Sequence, residues 1–182
     1  MLSYYLTLAL LATILGAFGK YADLLNEHGM KPLLKEPPLL SGIIWGGAGV
    51  LIMLLSPAAG ITYVAHVLYW FLRVKLEYPN HACAGVMILL GAFILQNDYL
   101  AAHPYQLLAV FLGYTITGYL HVYLKEHVPS LTQFLRLRLR IYLVALIYSL
   151  YISNIDPFFT TCCGMIACEI VTKYLPEKIK IC

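Results

Sequence analysis

Long apolar runs alternate with short polar segments along the whole chain. The first run, residues 1–19, contains no charged side chain and could cross most of a ~30 Å hydrocarbon core as a helix. Residues 39–72 also lack any charge, and one helix of that length would be about 50 Å long, too long for a single crossing. Because Ser56-Pro57-Ala58-Ala59-Gly60 supplies a turn inside this run, we expect two spans joined tightly there.

The complete pattern predicts seven transmembrane helices in a single integral-membrane domain, residues 1–182. The fold class is therefore all-α, a polytopic membrane helix bundle. The spans are expected at residues 2–18, in the two halves of 39–72, and at 82–95, 106–124, 141–152 and 158–174. Between them, residues 30–40 are apolar but rich in proline and are expected in the membrane interface, and residues 96–104 are expected to form a polar outer loop.

The basic residues give an independent signal for the topology. If the loops alternate between the two sides of the membrane, all twelve lysines and arginines fall on the same side. The positive-inside rule then predicts an outer N-terminus and a cytoplasmic C-terminus.

Composition supports a membrane protein and narrows its partners. Only 12% of the residues are charged and 61% are hydrophobic, whereas soluble domains carry about 25% charged residues. The basic residues are spread over several loops, so we expect no nucleic-acid partner. The five cysteines include no CxxC pair and predict neither a disulfide framework nor a zinc site.

The start of the chain also bears on its location. No basic segment precedes the first apolar run, so we expect that span to be retained and not cleaved as a signal peptide. The expected location is the plasma membrane if the source is prokaryotic and an internal membrane if it is eukaryotic.

The first candidate chemistry follows the first span. If the helix continues past Gly19, then Lys20, Asp23 and Glu27 share one face at i, i+3 and i+7. Asp23 and Glu27 together could bind Mg²⁺, which prefers carboxylate oxygens and phosphate oxygens from a substrate. The alternative is a Lys20–Asp23 ion pair with Glu27 in water.

A second polar group surrounds Pro79. Arg73 and Lys75 are cations suited to bind an anion, although positive loop residues also fix topology without touching a ligand. They precede a carboxylate, an amide and an imidazole, a set suited to proton transfer: Glu77, Asn80 and His81. Pro79 is expected to open a helix, so Glu77 and His81 should not form an i, i+4 pair.

The fifth span could complete a site with His121 and Lys125. Because several apolar runs are short, these polar groups are expected to reach into the membrane and face a cavity; the alternative is interfacial charge at the surface. The hypothesis assigns catalytic roles to Glu27, His28, Glu77, Asn80 and His81. It assigns substrate binding to Lys20, Arg73, Lys75, His121 and Lys125, and a metal to Asp23 and Glu27.

Two further features favour helix packing. Gly42 and Gly46 form a GxxxG motif that permits close approach of helices, within the chain or in a homo-oligomer. His66 lies between apolar neighbours and is expected to be packed and hydrogen-bonded rather than to bind a ligand.

Three functions fit this pattern. The first is a small integral-membrane enzyme, a transferase or hydrolase, that acts at the cytoplasmic face on a phosphorylated lipid or isoprenoid with the help of Mg²⁺. The head group of the substrate would meet the cations, and the tail of the substrate would lie between spans, against the glycines of the second span. The second is a transporter or ion-conducting protein, with ionisable groups deeper in the membrane. The third is a non-catalytic assembly subunit.

Overall fold

The computed structural model describes residues 1–27, 38–73, 77–128 and 139–179, which contain eight helices and no strand. The prediction of an all-α helix bundle is confirmed. The helices are α1 (Leu2–Glu27), α2 (Pro38–Leu55), α3 (Pro57–Leu72), α4 (Pro79–Leu95), α5 (Asn97–Ala102), α6 (Pro104–His127), α7 (Leu139–Tyr151) and α8 (Asp156–Ile179).

Prolines define where several helices begin. Four helices start at a proline, where the missing N–H costs no hydrogen bond and the fixed φ suits the first helical turn: α2, α3, α4 and α6. The predicted turn at residues 56–60 is consequently shorter than expected. Only Ser56 separates α2 from α3, and its hydroxyl caps α3 by accepting a hydrogen bond from the Ala59 N–H at 3.3 Å.

Two expected boundaries need correction. Pro79 opens α4, as expected, so the fourth span begins three residues before the expected start at residue 82. Residues 96–104, expected to be a loop, contain the six-residue helix α5. The expected helical extension of the first span is present, since α1 continues without a break to Glu27.

Three helical segments are long and apolar enough to cross a membrane: Leu2–Asn26, Pro104–His127 and Asp156–Leu175. Four shorter apolar helices accompany them, at Leu39–Leu55, Pro57–Leu72, Pro79–Leu95 and Leu139–Tyr151. Large apolar side chains such as Leu10, Phe93 and Leu150 point outward and are more than half exposed. An exterior of this kind fits a hydrocarbon environment better than water.

The helix ends meet in two groups at opposite ends of the bundle. Tyr4 near the start of α1 contacts Asp156 at the start of α8 and the α2–α3 junction. Asn26 near the end of α1 contacts Asn80 at the start of α4. Consecutive long helices in this part of the bundle therefore run in opposite directions, as the alternating-loop hypothesis requires.

Glycines allow two pairs of helices to pack backbone to backbone. A Cβ atom at Gly42 would collide with the Asn80 backbone, and one at Gly46 would come within 2.8 Å of the Ala84 Cα. The expected role of the GxxxG motif in close helix packing is confirmed, with α4 as the partner of α2. Gly16 of α1 and Gly164 of α8 approach in the same way. The expectation that a substrate tail lies against the α2 glycines is wrong for Gly42 and Gly46, because α4 covers them.

Candidate functional site

A partly buried hydrogen bond joins α1 to α4 at one end of the bundle. His81 Nε2 lies 2.8 Å from Asp23 Oδ1, a distance typical of a strong hydrogen bond between an imidazole and a carboxylate. His81 is 3% exposed, whereas the Asp23 side chain is 25% exposed. The more accessible member of the pair is therefore the carboxylate.

Two asparagines lie behind His81. Asn26 Nδ2 lies 2.6 Å from Asn80 Oδ1 and 3.2 Å from His81 Nδ1. Asn80 Oδ1 also accepts a hydrogen bond from the His81 backbone N–H at 2.9 Å. Asn80 is 1% exposed, and its Nδ2 lies 3.5 Å from the Ser41 hydroxyl of α2. Three helices thus fix the imidazole.

Lys20 supplies a positive charge next to Asp23. Its ammonium lies 3.5 Å from Asp23 Oδ2, and the residue is only 6% exposed. A buried lysine needs a charge partner, and the turn between i and i+3 brings the two side chains together. The ion pair considered as an alternative in the sequence is present, but in a buried setting.

Asp23, Lys20 and His81 line a cavity of about 710 Å³. Ligand pockets in proteins typically measure about 300–1,000 Å³. All seven long helices contribute to its wall: α1, α2, α3, α4, α6, α7 and α8. The cavity therefore depends on the assembled bundle, and no single segment of the chain forms it.

Basic residues outnumber acidic ones in the cavity wall. It includes four lysines and arginines but only two carboxylates among the described residues. The basic side chains are Lys20, Arg73, Lys125 and Arg140, and the carboxylates are Asp23 and Glu126. The Arg73 guanidinium also lies 5.6 Å from the centre of the Tyr119 ring, in a cation–π contact. Lys125 and Glu126 are exposed, which places the mouth of the cavity at this end of the bundle.

Aromatic rings line the inner part of the cavity. The Trp70 ring lies between two histidine rings, with centroid distances of 4.9 Å to His66 and 5.8 Å to His81. Trp45 contacts Trp70 edge to face at 5.6 Å, and Tyr114 contacts His66 at 5.0 Å. The prediction that His66 is packed agrees with these contacts, although its ring also faces the cavity.

The structure brings together most of the predicted site residues that it describes. Asp23 and the predicted catalytic residues Asn80 and His81 belong to one hydrogen-bond network. The predicted substrate-binding residues line the same cavity: Lys20, Arg73, His121 and Lys125.

Glu77 lies apart from the cavity. It is exposed, precedes α4, and is not among the cavity-lining residues. Its expected catalytic role has no support from this position. The expectation that Glu77 and His81 do not share a helix agrees with the start of α4 at Pro79.

Three predicted residues cannot be placed. His28 and Lys75 lie outside the described residues, and so does the side chain of Glu27, the last residue of α1. The predicted Asp23–Glu27 metal pair is therefore untested. The described residues contain no cluster of three or more histidine, cysteine or acidic side chains arranged to hold a metal. The Lys20 ammonium beside Asp23 would also repel a divalent cation, so we derive no step through Mg²⁺.

Sequence reasoning missed two groups of residues in the site. Asn26 follows Asp23 by three residues, the spacing that places both on one face of α1, so helical periodicity could have found it. Trp45 and Trp70 resemble ordinary apolar residues of a span, and only the packing of α2 against α3 and α4 brings them to the cavity.

A second buried polar cluster lies at the opposite end of the bundle. Asp156 Oδ2 accepts hydrogen bonds from the Tyr4 hydroxyl at 2.6 Å and from the Ser56 hydroxyl at 2.8 Å. Asp156 is 6% exposed and does not line the cavity. This cluster ties together α1, the α2–α3 junction and α8.

Comparisons with known proteins give no match to the chain among family models, curated proteins or solved structures. The geometry of the cavity is therefore the basis for assigning a function.

Proposed function

We propose that this protein is a membrane-embedded enzyme, a transferase or hydrolase that acts at the cytoplasmic face on an amphipathic lipid or isoprenoid with a phosphorylated head. The proposal includes seven spans, an outer N-terminus and a cytoplasmic C-terminus. One observation carries it: the Asp23–His81 pair faces a cavity with a basic mouth and an aromatic interior.

The charge of the wall favours an anionic head group. Four basic side chains against two carboxylates leave a formal excess of two positive charges in the described wall, if the histidines are neutral. Guanidinium and ammonium groups bind phosphate through charge-assisted hydrogen bonds, which gain strength where water is excluded. Arg73 at the end of α3 and Lys125 at the mouth would meet the head first.

The aromatic interior suits the apolar part of the same molecule. Trp45, Trp70 and Tyr114 offer large apolar surfaces immediately beyond the charged groups. A molecule with both an anionic and an apolar part can satisfy both regions, whereas a small water-soluble anion would leave the inner part unused.

Asp23 is the best candidate for proton transfer. A carboxylate can accept about four hydrogen bonds, so Asp23 can hold His81 and Lys20 and still contact a ligand. An attacking water or alcohol would give its proton to Asp23 while its oxygen bonds to the head group. The bond to the leaving group would break, and the leaving anion would be neutralised by the neighbouring cations. This assignment moves proton transfer from His81 to Asp23, which the sequence had suggested as a metal ligand, because His81 is buried and both its ring nitrogens already contact protein groups.

Transport is the second candidate. The cavity wall continues away from the mouth to Thr62, Thr160 and Thr161, and Thr160 lies one turn from Asp156. A conducting path would need to pass the Asp156 cluster, in which buried Asp156 and Ser56 and partly buried Tyr4 are bonded to one another. This closed end favours the enzyme.

Lipid that co-purifies with the protein tests the proposal. Mass spectrometry of lipid extracted from the purified protein should find one class of anionic amphiphile strongly enriched over the source membrane. Arg73→Gln should lower this enrichment about tenfold, since a charge-assisted contact is lost. Lys173→Gln is the control, because Lys173 is exposed and does not line the cavity. A lipid profile identical to that of the bulk membrane, or equal effects of both variants, would argue against an anionic substrate.

A further inference from the structure

The second nitrogen of His81 lies between two asparagine side chains. His81 Nδ1 is 3.2 Å from Asn26 Nδ2, a donor, and 3.1 Å from Asn80 Oδ1, an acceptor. The donor would pair with an unprotonated Nδ1, and the acceptor with a protonated one. Which of these partners Nδ1 uses determines where the imidazole carries its proton.

The other hydrogen bonds of Asn80 decide whether His81 Nδ1 is protonated or unprotonated. A carbonyl oxygen has two lone pairs, and Asn80 Oδ1 already accepts from Asn26 Nδ2 at 2.6 Å and from the His81 backbone N–H at 2.9 Å. The Asn26 amide has two hydrogens, one for Asn80 Oδ1 and one for His81 Nδ1. All of these donors and acceptors are paired when Nδ1 accepts a hydrogen bond from Asn26 Nδ2 and the imidazole carries its proton on Nε2.

We propose that Asn26 is a positioning residue that holds His81 in the neutral tautomer protonated on Nε2. In this tautomer Nε2–H donates to Asp23 Oδ1, at the observed 2.8 Å, and fixes the orientation of the carboxylate at the cavity wall. The tautomer itself is independent of any reaction, whereas the importance of Asn26 for turnover depends on the proposed enzyme function.

The same geometry explains what would follow from reversing the polarity of residue 26. Asn26→Asp keeps the shape of the side chain but replaces the donor facing Nδ1 by an acceptor. The variant then favours a proton on Nδ1. Because carboxylates then flank the ring on both sides, the imidazole holds a proton on each nitrogen, and its positive charge beside Asp23 makes that carboxylate a weaker base.

Nitrogen NMR on the full-length protein with ¹⁵N-labelled histidine tests the tautomer. The His81 signals are assigned by their loss in His81→Gln, and the protein is measured in lipid bilayers at pH 8. The expected wild-type spectrum shows a protonated Nε2 and an unprotonated Nδ1, and Asn26→Asp should give a protonated Nδ1. Asn97→Asp makes the same substitution at an exposed position in α5 and should leave the wild-type pattern unchanged.

Three results would overturn the inference. They are a wild-type His81 that carries its proton on Nδ1 or on both nitrogens, an Asn26→Asp spectrum equal to the wild type, and the same change in Asn97→Asp. If Asn26→Asp does not fold, the wild-type spectrum still decides the tautomer, and Asn26→Leu tests whether the preference for Nε2 is lost with the donor.

Turnover separates this inference from the proposed function. With a substrate in hand, Asn26→Asp should lower kcat about 10- to 100-fold with a smaller change in KM, because the change at Nδ1 makes Asp23 a weaker proton acceptor. Asn26→Gln, which retains the donor, should recover part of kcat. An Nε2-protonated His81 in a protein without lipid turnover would sustain the tautomer and defeat the enzyme proposal. An Asp23-dependent enzyme whose turnover is unchanged by Asn26→Asp would sustain the enzyme proposal and show that Asn26 is not a positioning residue for the reaction.

Discussion

At the scale of single residues, two aspartates of the bundle, Asp23 and Asp156, illustrate how surroundings set a role. Asp23 is paired with an imidazole and an ammonium and is a quarter exposed at the wall of a large cavity. Asp156 accepts two hydroxyl groups and is 6% exposed in a closed cluster. The first arrangement suits chemistry on a ligand, and the second suits the joining of helix ends.

Removal of the Asp156 carboxylate should therefore cost stability and spare the site. Asp156→Ala leaves the buried Ser56 hydroxyl without its acceptor and removes the 2.6 Å acceptor of the partly buried Tyr4 hydroxyl, which should lower the free energy of unfolding by about 2 kcal/mol. Thermal unfolding of the purified protein measures this loss, and enrichment of the bound lipid should stay at the wild-type level. Asp98→Ala is the control, because Asp98 is exposed in α5. An Asp156→Ala variant with wild-type stability and no bound lipid would instead show that Asp156 takes part in lipid binding.

Single residues were also the hardest part of the site to predict. The types and spacing of Lys20, Asp23 and His81 indicated polar chemistry, and the structure brings them together. Glu77 has equally suitable chemistry but points into solvent, because Pro79 starts α4 after it. Direction of a side chain near a helix start depends on tertiary packing, which the local pattern does not contain.

At the scale of helices, the site depends on the close contact between α2 and α4. Asn80 and His81 occupy the first turn of α4, and the Asn80 backbone lies directly against Gly42 of α2. The position of the imidazole is thus set by a glycine in a helix that contributes little polar chemistry of its own.

A methyl group at this contact should disturb both stability and the site. Gly42→Ala would press on the Asn80 backbone and should cost about 1–3 kcal/mol, as overpacking does. Gly47→Ala is a matched control, since its Cβ would meet nothing closer than the Met87 Cε at 3.8 Å and would gain the same helix propensity. Gly42→Ala should unfold at a lower temperature than Gly47→Ala, and its lipid enrichment should fall. Equal stability of the two would contradict the packing described here.

Helix positions were largely predictable because apolar runs, prolines and charges punctuate the chain. The errors concern single turns: the fourth span was expected three residues too late, and the polar stretch that contains α5 is compatible with either a loop or a helix. The partner of the GxxxG motif was not predictable, because the motif indicates a close helix contact without identifying the helix that makes it.

At the scale of the whole molecule, the distribution of charge and apolar surface agrees with a membrane orientation. The four basic side chains of the cavity wall come from four helices and gather at one end of the bundle. The sides of the bundle expose large apolar residues. We propose from the positive-inside rule that the basic end faces the cytoplasm.

Accessibility of engineered cysteines tests this orientation. In a variant with the five native cysteines replaced by serine, Asn97→Cys should react with a membrane-impermeant maleimide in intact cells. Glu77→Cys should react only after the membrane is opened, because it lies at the basic end. Both positions are exposed, so burial does not limit either reaction. The opposite labelling pattern would show that the basic end faces outward. Equal labelling of Asn97→Cys and Glu77→Cys would contradict alternating spans.

The central claim is that the Asp23–His81 pair transforms a lipid in the cavity. The most direct measurement incubates the purified protein with lipid extract of its source membrane and follows substrate loss and product formation by mass spectrometry. We expect the wild type to convert one class of anionic amphiphile, Asp23→Asn to lose about a hundredfold or more of that rate, and Glu77→Gln to stay within about twofold. No conversion by the wild type, or an Asp23→Asn variant as active as the wild type, would contradict this account.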